Sequence, residues 1–140
     1  MSKDRLWETL ETLNRRCLAQ EAEIRARLRL SPSEYLALRR LLPHETVICQ
    51  DLARRMELSL SRTSRVIDRL FARGFVERSD CAADKRCRSV RLTGSGGQVR
   101  ERIEALQDEC ENRIFRGYSK VRLAGLKKEL GDLAAAFFTV

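Results

Sequence analysis

The feature that most limits how this chain can fold is a double change of hydrophobic period, centred on Gly74. Up to that glycine, apolar residues recur every three or four positions, the spacing of helices with one buried face. From there Phe75–Cys81 and Cys87–Thr93 alternate with period two around the loop Ala82–Arg86, which predicts a two-stranded hairpin. Gly94–Gly97 breaks the chain again, and the helical spacing returns. A fold made of helices alone, or of strands alone, cannot satisfy this order.

Punctuation divides the helical part further. Leu6, Leu10, Leu13, Cys17, Ile24 and Leu28 form one seam on a long helix, about Asp4 to Arg29. Ser31-Pro32 restarts the chain, with Ser31 as N-cap and Pro32 at the first helical position. This second helix, carrying Leu36, Leu38 and Leu41, ends before Pro43-His44, and a short third helix turns Leu52, Ala53 and Met56 inward. Ser59 caps a fourth, which runs to Arg73 and stops at Gly74. Beyond the hairpin, Val99, Ile103, Leu106, Cys110, Ile114 and Tyr118 make a second long seam. Leu123, Leu126, Leu130, Leu133 and Phe137 make a third. The fold expected is mainly α with an α+β wing: a winged helix-turn-helix core over 31–94, flanked by long dimerisation helices over 1–30 and 95–140. At 140 residues this is a single domain by length. The flanking seams bury most simply against a second copy of the chain. A monomeric helical bundle is the alternative.

Charge narrows the partner. Lys and Arg number 28 against 20 Asp and Glu, a net charge of +8, which favours a polyanion, nucleic acid before an anionic membrane surface. No stretch approaches the roughly 18 apolar residues that span a bilayer. Met1–Arg5 leads straight into a charged amphipathic stretch with no signal-peptide core, so a cytoplasmic location is expected. The five cysteines include no C-x-x-C pair and the chain has a single histidine, His44, so neither a zinc site nor another cofactor is expected. No phosphate-binding glycine loop and no paired carboxylates suggest an enzyme.

The stretch Ser59–Gly74, SLSRTSRVIDRLFARG, carries the functional signal. At 100° per residue, Arg62, Arg65, Arg69 and Arg73 fall within a sector about 80° wide. Thr63, Val66, Ile67, Leu70 and Phe71 occupy another face. One face packs, and the other presents guanidinium groups with Ser61 and Ser64 beside them, a pattern suited to guanine edges and phosphates in a major groove. A solvated charged face would read the same way, and the stripe alone does not decide between them.

The hairpin does. RVIDRLFARGFVERSDCAADKRCRSVRLTGSG is similar to the run of recognition helix, glycine, wing and Leu-Thr-x-x-Gly of the MarR family of bacterial transcription regulators. LSPSEYLALRRL resembles that family's second helix and DLARRMELS its helix before the turn. Asp84-Lys85-Arg86 stands where family members carry an Asp-x-Arg wing tip. Two departures are visible: Val47-Ile48-Cys49 lacks the usual hydroxyl cap of the third helix, leaving Thr46 or solvent to serve, and Arg62 replaces a small or hydroxyl residue. The resemblance implies a homodimer on a pseudo-palindromic operator of double-stranded DNA, most simply a repressor. Ser61, Arg62, Ser64, Arg65 and Arg69 would face the major groove. Lys85, Arg86 and Arg88 would serve the wing, with Arg86 in the minor groove oriented by Asp84. It also implies release by a small aromatic or anionic ligand held between the dimer helices and the winged core, or by thiol oxidation. A winged helix that binds protein instead of DNA is the alternative class, and it would need an apolar or acidic exposed face.

Cysteines bear on the signal. Cys17, Cys49 and Cys110 occupy apolar seam or inward positions and read as core residues. In the hairpin, placing Val76 opposite Leu92 also pairs Glu77 with Arg91, Ser79 with Ser89 and Asp80 with Arg88. The same register sets Cys81 opposite Cys87, at the roughly 4.5–5.5 Å between Cα atoms that a disulfide can bridge. Cys81 and Cys87 are therefore candidate redox residues, or else two thiols without a role.

Overall fold

A computed structural model describes residues 5–81 and 84–138, with side chains given outside 80–87. Six helices and three strands follow in the order α1 (Leu6–Leu28), α2 (Pro32–Arg40), β1 (Val47–Ile48), α3 (Cys49–Met56), α4 (Leu60–Ala72), β2 (Val76–Cys81), β3 (Asp84–Leu92), α5 (Gly94–Ile114) and α6 (Lys120–Ala136). The chain divides into two compact units, Met1–Leu106 and Gln107–Val140.

In the first unit, local chemistry marks several of the helix ends. Ser31 and Glu34 form a reciprocal capping box at the head of α2, with Pro32 in the first turn. α3 begins at Cys49 without any side-chain cap, so Thr46 does not take that part. The turn from α3 to α4 passes through Glu57 in the left-handed region (φ 55°) to Ser59, whose hydroxyl accepts the Arg62 N–H at 3.2 Å. α4 ends in a Schellman arrangement: Gly74 lies at φ 77°, its N–H donates to the Phe71 carbonyl, and the Phe75 N–H donates to that of Leu70, both at 2.9 Å.

Leu38, Leu41, Leu52, Val66, Leu70, Val76, Val90 and Ile103 are the fully buried aliphatic core, and Ile24 and Leu30 join it from the end of α1. The expected inward trio Leu52, Ala53 and Met56 is buried. Arg100 of α5 donates to the carbonyls of Leu38 (2.8 Å) and Arg39 (2.6 Å), so a cation sits on the last turn of α2, where a helix carries partial negative charge.

The hairpin is joined by a third strand that the sequence reading omits. The sheet order is β1-β3-β2, with Val47 opposite Val90. Two residues are too few to display a period. In the second unit, Ser119 caps α6 by accepting the Arg122 N–H, and the Arg122 guanidinium lies 3.7 Å from the Tyr118 ring centre. No residue of α6 is buried, and Leu130, Leu133, Phe137 and Phe138 are exposed.

Two of the expected core cysteines need correction. Cys49 is buried, but Cys17 is exposed and Cys110 half-buried. The apolar seam of α1 is likewise open at Leu6 and Leu13, so a seam position does not amount to burial within one chain. No helix among the described residues is long and apolar enough to cross a membrane.

Gly96 is the most tightly packed of the glycines. A Cβ there would stand 1.9 Å from the Phe75 carbonyl oxygen, whereas one at Gly97 meets nothing within 4 Å. Gly96→Ala is expected to cost about 2–3 kcal/mol in urea unfolding, as overpacked cores do. Gly97→Ala should be neutral or gain up to about 1 kcal/mol of helix propensity. Equal effects of the two substitutions would contradict this packing.

Candidate nucleic-acid interface

α4 divides sharply into two faces. Thr63, Val66, Ile67 and Leu70 are buried, while Ser61, Arg62, Arg65 and Arg69 are exposed and Ser64 is half-buried. The guanidinium groups of Arg62, Arg65 and Arg69 make no hydrogen bond, ion pair or ring contact among the described residues. Three cations thus stand on one side of a helix with their donors unspent. The helix N-terminus beside them adds the partial positive charge of its free N–H groups.

Arg73, fourth in the stripe by angle, is spent elsewhere. Its guanidinium donates to Glu34 Oε2 at 2.9 Å and to the Arg29 carbonyl at 2.8 Å, and it lies 4.9 Å from the centre of the Phe75 ring. Glu34 is buried, and its other oxygen accepts the Ser31 N–H at 3.0 Å. Burial by itself would raise the Glu34 pKa, but the Ser31 N–H and the Arg73 guanidinium outweigh it and hold the carboxyl below its ordinary 4.5. Arg73 therefore ties the C-terminal end of α4 to the corner between α1 and α2.

In the wing, the register of Val76, Glu77, Ser79 and Asp80 with Leu92, Arg91, Ser89 and Arg88 is as the sequence predicts. Ser79 and Ser89 hydroxyls meet at 2.5 Å. The expected opposition of Cys81 and Cys87 does not occur. The register shifts between Asp80 and Cys81, and Cys81 pairs with Asp84, so Lys85, Arg86 and Cys87 intervene on β3 with no counterpart on β2. An irregularity of this kind cannot be extrapolated from a period of two. The side chains of Asp84, Lys85, Arg86, Cys81 and Cys87 lie outside the described residues. Arg88 is exposed and in phase with the buried Val90 and Leu92.

The arrangement includes residues the sequence reading passed over. Arg78 is also in phase with buried Val76, on the core-facing side of β2. Its guanidinium covers the ring of Phe71 at 3.8 Å and donates to Asp68 Oδ1 at 2.5 Å. Phe71, expected on the packing face of α4, is 46% exposed and packs under this cation instead. Phe71, Arg78, Ser79 and Arg88 line a depression of about 290 Å³ between α4 and the wing. A charged residue in phase with core valines needs a partner, and that signal was available in the spacing of Val76 and Arg78.

The family model for the MarR family matches residues 30–88. The uncharacterized HTH-type transcriptional regulator YfiV of Bacillus subtilis (strain 168) is 30% identical over 117 residues, covering 74% of this chain and 73% of that protein. Apo MarR from E. coli superposes with a TM-score of 0.76 at 20% identity, over 95% of this chain and 98% of that one. NadR in complex with 4-hydroxyphenylacetate gives 0.72 at 22% identity, over 96% and 95%. At these identities the two solved structures speak to fold alone.

The Glu34–Arg73 tie has a pH signature. A carboxyl whose folded pKa is lowered contributes stability that is present above its unfolded pKa and lost as pH falls through the folded one. Its ordinary value is 4.5, so the loss falls in the acid range below that pH. Glu34→Gln should destabilise the protein at neutral pH and flatten this part of the acid limb of its stability profile. An acid limb as steep as that of the unaltered chain would refute the assignment.

Proposed function

The chain belongs to the MarR family, and from that premise we propose that it is a DNA-binding transcriptional regulator that works in the cytoplasm as a homodimer. The observation that carries the reading is the trio Arg62, Arg65 and Arg69, exposed and without partners among the described residues, on a chain of net charge +8. Bidentate donors in a row on one helix face suit guanine edges and phosphates of a major groove better than a protein surface. Ser61 and Ser64 supply hydroxyls to adjacent phosphates. Lys85, Arg86 and Arg88 belong to the flanking minor groove, with Asp84 orienting Arg86, because a narrow A·T groove concentrates negative potential.

The remaining parts of the proposal follow from exposed apolar surface and from the family. Leu130, Leu133 and Phe137 of α6 and Leu6 and Leu13 of α1 are open in a single chain, and a second copy is the partner that buries them. Two recognition helices then read the half-sites of a pseudo-palindrome, and the regulator represses where its operator overlaps a promoter. NadR was crystallised with 4-hydroxyphenylacetate, and a small aromatic anion is the releasing signal we favour here. Cys81 and Cys87 are not opposed in the wing register, so the ligand has more support than a thiol signal. Nothing in the proposal calls for a catalytic group.

Selection of duplexes from a random pool, followed by titration of the enriched sequence, tests the reading. Arg65→Ala is expected to weaken specific binding by about 1–3 kcal/mol, and Arg86→Ala to lose most on A·T-rich flanks. The double variant Leu126→Lys, Leu130→Lys should lose the dimer and specific binding together. Operator affinity unchanged in both arginine variants would overturn the docking.

A further inference from the structure

Apolar packing holds the base of the hairpin in the core, where Val76, Val90 and Leu92 are buried together with Val66, Ile67 and Leu70 of α4. Further out, the residue in phase on β2 is Arg78, and it meets α4 through its charge and not through an apolar contact of the core. Arg78 reaches both Asp68 and Phe71, which lie three apart and so share a face of α4. Asp68 directly precedes Arg69 and follows Arg65 by three, so the anchor sits within one turn of those two arginines. We propose that Asp68, Phe71 and Arg78 form a clamp that sets the position of the wing relative to the recognition helix, and thereby couples contacts in the major groove to contacts in the flanking minor groove. The three are positioning residues and touch no base. This rests on the DNA-binding reading above and adds to it the element that makes two separate contacts act as one.

Magnitudes separate this role from general stabilisation. The side chains of Arg78 and Asp68 remain 31% and 55% exposed, and ion pairs so open to water add little to folding stability. What the pair does supply is geometry: a planar guanidinium stacked on a ring and hydrogen-bonded to a carboxylate has one orientation, where a lysine in its place would have many. The chain can therefore lose the clamp and keep its fold.

The test is a methylation footprint on the selected duplex, which reports guanine N7 in the major groove and adenine N3 in the minor groove separately. Arg78→Met keeps the length and apolar stem of the side chain and is expected to retain the thermal midpoint and the guanine N7 protection. It should lose the adenine N3 protection on the flanks, with affinity about tenfold weaker. Asp68→Asn, an exposed change that leaves the stacking in place, should show the same selective loss to a smaller degree. Arg78→Lys should recover only part of it. If both protections survive at full affinity in Arg78→Met and Asp68→Asn, or fall in parallel, the clamp is wrong while DNA binding stands. Were the unaltered protein to protect neither groove, the DNA-binding reading would fail and the clamp with it.

Discussion

Thr93 gathers three elements at one point. Its hydroxyl donates to the Gly74 carbonyl at 2.6 Å and accepts the Gly96 N–H at 3.1 Å, while its own N–H donates to the Phe75 carbonyl at 3.1 Å. The first bond holds the end of α4, the second caps the first turn of α5, and the third closes the base of the hairpin. Gly96 must lack a Cβ because the Phe75 carbonyl occupies that space. Everything that projects from this joint, the arginine stripe on one side and the wing on the other, takes its direction from it. The Leu92-Thr93-x-x-Gly96 run is thus a physical requirement of the joint.

Charge is distributed unevenly around that joint. Arg73 and Arg100 are committed, the first to Glu34 and the Arg29 carbonyl, the second to the last carbonyls of α2. Each replaces water on a buried or half-buried acceptor, and removing either would leave that acceptor unsatisfied at a cost of about 1–3 kcal/mol. Arg62, Arg65 and Arg69 satisfy nothing among the described residues. A protein gains no stability from aligning three like charges on one helix face, which is why the proposed function assigns them an external anion. Arg78 stands between the two groups, fastened to α4 yet lying in the strand that leads to the wing tip.

Much of this was legible in the sequence, and the failures have physical causes. The Ser31–Glu34 capping box, the Ser59 cap and the Gly74 stop are local chemistry, and local chemistry reads directly from neighbouring letters. The hairpin register was legible as far as Asp80–Arg88 because buried valines allow only one phase. It failed at Cys81, where extra residues on β3 break the period. Phe71 lies at the edge of the buried sector of α4, about 100° round from the fully buried Leu70, so its ring stays half open and meets Arg78 instead. Arg73 falls in the stripe by angle, and a helical wheel has no means of showing Glu34, distant in sequence and 2.9 Å away in space. Strand β1 is too short to carry any pattern.

The central claim is that the unpartnered arginines of α4 are matched to the phosphates and bases of DNA. Its most direct test is the salt dependence of binding to the selected duplex. Each phosphate neutralised releases counterions and contributes about −0.9 to the slope of log K against log salt. A dimer that engages both half-sites through Arg62, Arg65 and Arg69 should show a slope of about −5 or steeper, and replacing the three by alanine should make it much shallower. A slope near zero, or one that the triple replacement leaves unaltered, would contradict the account.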